Sequence, residues 1–272
     1  MKAYPKWRVR LGFKIGWPLI ILGKKLAGIP WLGKLANPLF ALPHSQLTAI
    51  PINTVTIGEE ARTENMSLPI HLVERLLSEA SHIMLLDECI CRAHMNVEPR
   101  GIGCLILGRS ALDIHPSNGR LVTMEEAKAH AHKAAQAGLV ANVAHVWIDP
   151  VGFNVRSFGQ MLFICFCGPK ACLYTDYLHK RAPNLDKSYS RLPGLRTKVD
   201  TAKCDGCGLC VNACFVSAIS MAGGKAVINE VCKACGRCIS HCPPAAISIA
   251  MDDEDKVFQQ LLARVRSVAD IS

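Results

Sequence analysis

The residues of this chain that could do chemistry are its 14 cysteines, and most of them stand in C-x-C or C-x-x-C groups rather than scattered along the 272 residues. Clustered thiolates are soft metal ligands, so metal ligation is the leading reading. A disulfide framework is the alternative. Such frameworks staple small exported domains, whereas this chain is long and carries no convincing export signal. Eight of the cysteines form an internal repeat. Cys204-Asp-Gly-Cys207-Gly-Leu-Cys210-Val-Asn-Ala-Cys214 and Cys232-Lys-Ala-Cys235-Gly-Arg-Cys238-Ile-Ser-His-Cys242 are related by a constant offset of 28 residues, which Ala218-Ile219 and Ala246-Ile247 also keep.

Each run reads C-x2-C-x2-C-x3-C. Three cysteines on a tight loop, relieved by Gly206, Gly208 and Gly236, can aim thiolates at three corners of one cubic cluster, and the fourth ligand must come from elsewhere. The pattern resembles bacterial ferredoxins with two [4Fe-4S] clusters at all eight ligand positions. That resemblance implies that the fourth cysteine of each run serves the other cluster. Cys204, Cys207, Cys210 and Cys242 would then hold one cluster, and Cys232, Cys235, Cys238 and Cys214 the second. It also implies relay of single electrons between close neighbours. Pro243 follows Cys242 as in that family, while Phe215 stands after Cys214 where the family has Pro. C-x2-C pairs also bind zinc, which is the other metal chemistry open to the module.

The other six cysteines fall between residues 89 and 172. They are Cys89 and Cys91 in Cys-Ile-Cys-Arg92, Cys104 after Gly103, Cys165 and Cys167 in Ile164-Cys-Phe-Cys, and Cys172. Two C-x-C pairs brought together offer four thiolates to one centre, with Cys104 and Cys172 to complete or flank it. A third iron-sulfur cluster is therefore expected here. Simple burial of free cysteines, which behave as small hydrophobes, predicts scatter rather than pairs. The order Cys-x-Cys-Arg, Gly-x-Gly-Cys, Ile-Cys-x-Cys also resembles a loosely characterised group of anaerobe iron-sulfur proteins, over about residues 60 to 250. Six candidates for one cluster leave a surplus. A reactive centre is the sharper reading, with Arg92 as anion partner and His94 as proton donor; neighbours that merely tune a cluster are the plainer one.

The elements that must position these cysteines can be read in outline. Ser67 to Ala80 reads as a helix with Ile70, Val73, Leu76, Leu77 and Ala80 on one face. Thr123-Met-Glu-Glu126 is a capping box opening an Ala-rich helix that Gly138 stops. Val140 to Ile148 reads as a strand. A last helix starts near Asp252 and packs through Val257, Phe258, Leu261, Leu262, Val265 and Val268. His130 and His132, two apart on a helix, are expected to face solvent. From Lys6 to Trp17 the odd positions are apolar and the cations even, a period of two that favours a strand.

The whole predicts an α+β chain: a basic arm at 1–58, a mixed α/β cysteine-containing domain at 59–196, a ferredoxin-like two-cluster module at 197–251 and an amphipathic helix at 252–272. The first 58 residues carry +8 of the net +9, and all 22 acidic residues follow them. Aromatic, aliphatic and cationic residues together suit an anionic bilayer interface, a docking arm for a partner subunit, or an arm folded on its own body. No segment is long enough to span a bilayer. There is no Gly-rich phosphate loop and no recognisable nucleic-acid reader, so neither a nucleotide cofactor nor nucleic acid is expected.

The function expected is electron transfer, by a cytoplasmic protein or one peripheral on the inner membrane face. It would serve as a subunit of a membrane-associated redox complex, with a flavoprotein or quinone-linked protein as partner. An iron-sulfur reductase with a catalytic cluster or reactive thiol in the middle domain is the alternative.

Overall fold

A computed structural model describes residues 3–27, 29, 31–32, 45–50, 55–57, 69–168 and 189–272. Its centre is a seven-stranded sheet. In chain order the strands of the molecule are β1 (Ser45–Ile50), β2 (Val55–Ile57), β3 (Ile83–Leu86), β4 (Leu105–Leu107), β5 (Gly119–Leu121), β6 (Val140–Val146), β7 (Leu162–Cys167), β8 (Tyr189–Ser190), β9 (Leu195–Val199), β10 (Ile219–Ala222), β11 (Lys225–Ile228) and β12 (Ile247–Met251). The large sheet runs β5-β3-β4-β7-β6-β1-β8, antiparallel except for the parallel pair β1 and β8. The described α-helices are α1 (Lys6–Ala27), α2 (Pro69–Ser78), α3 (Ile90–Met95), α4 (Met124–Gln136), α5 (Ile148–Phe153), α6 (Leu209–Ala213) and α7 (Glu254–Arg266).

The sheet is covered on both faces, and strand alternation decides which side chain goes where. On one face Ile83, Leu105, Leu107, Ala141, Val143, Leu162, Ile164 and Phe166 pack with α2, α4 and α7. On the other, Met84, Leu86, Cys104, Ile106, Ala144, Val146, Phe163 and Cys165 pack with α1 and α5. The predicted helices follow their sequence signals within the described residues, and the predicted strand runs from Val140 to Val146, with Ile148 opening α5 instead of extending it. Thr123 Oγ1 accepts from the Glu126 N–H at 3.2 Å while Glu126 Oε2 accepts from the Thr123 N–H at 2.9 Å. Gly138 ends that helix at φ +69°.

The arm departs from expectation twice. Lys6 to Trp17 is helical, not a strand: Val9, Phe13, Trp17 and Ile20 make a buried stripe at helical spacing, and the Phe13 ring lies over Gly152 of α5, where a Cβ would come within 2.9 Å. Ser45–Ile50, placed in the arm by composition, is an inner strand between β6 and β8.

The C-terminal module is equally woven in. β12 pairs in parallel with β2 and antiparallel with β9, and the β10-β11 hairpin turns at Gly223-Gly224. After β12 the chain returns to the large sheet as α7. Asp253 caps that helix by accepting from the Lys256 N–H at 2.9 Å, and Glu254 and Asp255 occupy its first turn, where the dipole favours them. Because Leu261 is fully buried between α7 and the sheet, Leu261→Ala should cost about 2–5 kcal/mol. Anaerobic denaturant titration measures this, and an unchanged midpoint would remove α7 from the core.

Candidate metal centres

The 28-residue repeat of the sequence is also a repeat of backbone conformation. Left-handed residues fall at Gly206 (φ +79°) and Ala234 (+51°), at Gly208 (+71°) and Gly236 (+80°), and at Ser217 and Ala245 (both +51°), three pairs at the same offset. Gly206 has a steric reason as well, since a Cβ there would meet the Gly224 carbonyl oxygen at 2.4 Å. The turns aim backbone donors at sulfur in matching ways. The Ala218 N–H donates to Cys214 Sγ at 3.2 Å, and the Ala246 N–H to Cys242 Sγ at 3.3 Å.

The thiols of the two runs interleave. Cys238 lies in the electrostatic reach of Cys235, Cys232 and Cys214, and Cys235 in that of Cys232 and Cys214. Cys210 faces Cys242 and Cys207, and packs with Cys204. The fourth cysteine of each run therefore sits with the first three of the other. Burial pushes the Cys235 thiol up to about 11, and raises Cys238 further. A bound metal is what draws protons off such thiols. Two cations are buried beside this group: Arg237, whose guanidinium stands 5.2 Å over the Phe215 ring, and Lys233, 5.9 Å from the Tyr189 ring.

In the middle domain the strand register builds a second kind of site. β4 pairs antiparallel with β7 with Leu105 opposite Ile164, so Cys104, one residue earlier, comes opposite Cys165. Both point to the face shared by Ile106 and Phe163. Cys89 precedes α3, where its carbonyl accepts from the Ala93 N–H at 2.8 Å, and Cys91 is in the helix. Their thiols join the pair from the sheet: Cys89 hydrogen-bonds with Cys104 and Cys91, and Cys104 also with Cys165. Contacts with Cys104 and Cys91 hold Cys89 well below the ordinary thiol range, with the Arg92 charge adding to them, while the contacts with Cys165 and Cys89 and burial push Cys104 well above it. The contacts favour a thiolate at Cys89 and disfavour a second one at Cys104.

The backbone around it is tight. A Cβ on Gly103 would lie 1.8 Å from the Leu86 carbonyl oxygen, and the Leu86 N–H donates to the Cys104 carbonyl at 3.0 Å. His130, expected at the surface, is half-buried because its Nε2 lies 2.9 Å from the Gly103 carbonyl oxygen and its ring meets Phe166 edge-on. It props the turn that carries Cys104. His132 is exposed and pairs with Glu74 at 3.0 Å.

Arg92 is 1% exposed, and each of its three side-chain nitrogens donates to a carbonyl: Nε to Pro99 at 2.7 Å, Nη1 to Phe166 and Nη2 to Ile102. Clamped in this way it is not an anion-binding residue for a substrate; it supplies a fixed positive charge beside the thiols. His94 stacks on Trp17 at 4.6 Å and lines a cleft of ≈ 500 Å³ between α1 and α3, among Lys6, Arg10, Lys14 and Arg100, and is not one of the residues at the thiols. Cys167 stands two residues beyond Cys165 on the same face, buried, its carbonyl accepting from Arg237 at 3.5 Å. Cys172 lies outside the described residues.

Among the described residues no three His, Cys, Asp or Glu side chains converge on a point that a single ion could occupy. Residues 197–220, which contain the first cysteine run, match the 4Fe-4S binding domain family. Comparison with curated proteins found no match. The chain therefore carries an iron-sulfur module with at least one [4Fe-4S] cluster, and the chemistry such a module serves is electron transfer.

Proposed function

We propose that the chain relays single electrons through three [4Fe-4S] clusters set in line. Cys89, Cys91, Cys104 and Cys165 hold one; Cys214, Cys232, Cys235 and Cys238 hold the middle one; Cys204, Cys207, Cys210 and Cys242 hold the last. Each cluster, when bound, takes up and releases one electron. The carrying observation is the packing that links the three thiol groups. Cys91, Cys104 and Cys165 pack on the same apolar body as Cys214, Cys232 and Cys235, together with Phe215 and Val216. Cys214 and Cys238 also pack with Cys204, Cys210 and Cys242. The middle group thus borders both of the others.

The protein's part is to exclude water and to balance charge. Four-iron clusters with four thiolates carry a net charge of roughly 2− when oxidised. Arg92, Lys233 and Arg237 are each at most 9% exposed beside these thiols, and fixed cations at that depth favour the anionic state of a site. The relay fits a subunit of a membrane-associated redox complex, exchanging electrons with a flavoprotein or a quinone-linked protein.

Two substitutions separate this reading from a two-cluster protein. Cys104→Ala should lower iron from about twelve to about eight per chain and leave the ferredoxin-type signals in the reduced EPR spectrum. Unchanged iron in this variant contradicts the assignment. Gly103→Ala, which touches no thiol, should cause the same loss by driving the Cys104 turn off Leu86. Iron and acid-labile sulfide on anaerobically purified protein read both.

A further inference from the structure

Helix α1 has two apolar faces, and only one of them is used by the fold. Val9, Phe13, Trp17 and Ile20 are buried. Trp7, Leu11, Ile15, Leu19 and Leu22 fall on the opposite side, at i, i+4, i+8, i+12 and i+15, and are 48–65% exposed. At 1.5 Å per residue this stripe runs about 22 Å. Beyond the helix Trp31 is 74% exposed and extends the same composition. Monomeric proteins seldom leave so long an apolar stripe in water without a use for it.

The charges beside the stripe name its occupant. The 22-residue helix holds Lys6, Arg8, Arg10, Lys14, Lys24 and Lys25 and no acidic residue. Lys6 and Arg10 are turned to the body, where they pair with Asp87 at 3.1 Å and with both oxygens of Glu88 at 2.7 and 2.6 Å. Arg8, whose guanidinium lies over the Tyr4 and Trp7 rings, and Lys14 and Lys25 are exposed in or beside the stripe and meet no carboxylate among the described residues. Apolar side chains flanked by cations that no carboxylate neutralises match the acyl boundary and headgroups of an anionic bilayer. None of the described helices is long and apolar enough to cross a membrane, so the fit is to the surface.

We infer that α1 lies in the interface of an anionic membrane, with Trp7, Leu11, Ile15, Leu19 and Leu22 facing the acyl chains and Arg8, Lys14 and Lys25 at headgroup height. The buried face of the same helix packs on the apolar body that contains Cys91, Cys104 and Cys165, and Trp17 stacks on His94 of α3. Helix α3, which carries Cys91, is thus packed against the membrane-facing helix. The group around Cys204 packs in a different apolar body. Membrane-borne electrons would meet the middle-domain centre first.

The test uses the full-length, metal-loaded protein and sedimentation with vesicles of phosphatidylcholine, alone or with phosphatidylglycerol. Deleting the arm is unsuitable because it would also remove Val9, Phe13, Trp17 and Ile20 from the core. The Ile15→Ser, Leu19→Ser variant alters two side chains that are 63% and 65% exposed, and should keep its iron content and far-UV spectrum. Expected are binding to the anionic vesicles, weakening at high salt, and affinity at least about tenfold lower in the variant. Equal sedimentation of parent and variant overturns the inference. So does indifference to lipid charge, or a parent that ignores vesicles and uses the stripe to hold a protein. Iron content is measured on the same samples, so failure of the membrane face and failure of the three-cluster relay are read apart.

Discussion

A guanidinium sealed inside the protein is the constraint around which the middle of this molecule is organised. Moving a charge of that kind out of water costs several kcal/mol unless hydrogen bonds and a countercharge offset it. Arg92 meets the first demand with three carbonyls, from Pro99, Ile102 and Phe166, and so ties α3 and the loop after it to β7. It meets the second with the thiols that the same tie brings together. The one carboxylate shown within reach of its charge, Glu98, is exposed and pairs chiefly with Arg100. The structural clamp and the electrostatic partner of the site are one side chain.

Packing carries that arrangement outward. The pairing of β4 with β7 sets Cys104 against Cys165, and the close approach at Gly103 and Leu86 leaves the turn little freedom. Arg237 then bridges from the ferredoxin-type loop to the Cys167 carbonyl, and Phe215, in the place of the usual proline, enters the core beneath the large sheet. The C-terminal module is therefore no pendant. Its strand β12 pairs with β2, from residues placed in the arm by composition, and α7 returns to close the far face of the sheet. The surface ion pairs of α1 with Asp87 and Glu88 add little to this; its four buried apolar residues hold it.

How much was legible in the sequence follows from the range of the interactions involved. The ferredoxin-type repeat, the Thr123 capping box and the apolar face of α7 are local patterns, and each appears in the structure where the spacing puts it. Residues 6–17 misled for a physical reason. A helix that is apolar on two opposite faces places Trp7, Leu11 and Ile15 on one side and Val9, Phe13 and Trp17 on the other, so every odd position is apolar and the run imitates a strand. His130 was misread because two histidines on one helix say nothing of what packs over them; the Gly103 carbonyl that claims it is 27 residues away. The grouping of Cys89 and Cys91 with Cys104 and Cys165 depends on strand register, which spacing alone does not encode.

The proposed relay needs three centres on one chain, and the number of electrons the chain takes up tests that most directly. Anaerobic reductive titration of the full-length protein, followed optically against a low-potential mediator, counts them. Three clusters, each accepting one electron, predict about three reducing equivalents per chain. An end point at about two, with the protein fully loaded with iron, would contradict the middle-domain centre and confine electron transfer to the C-terminal module.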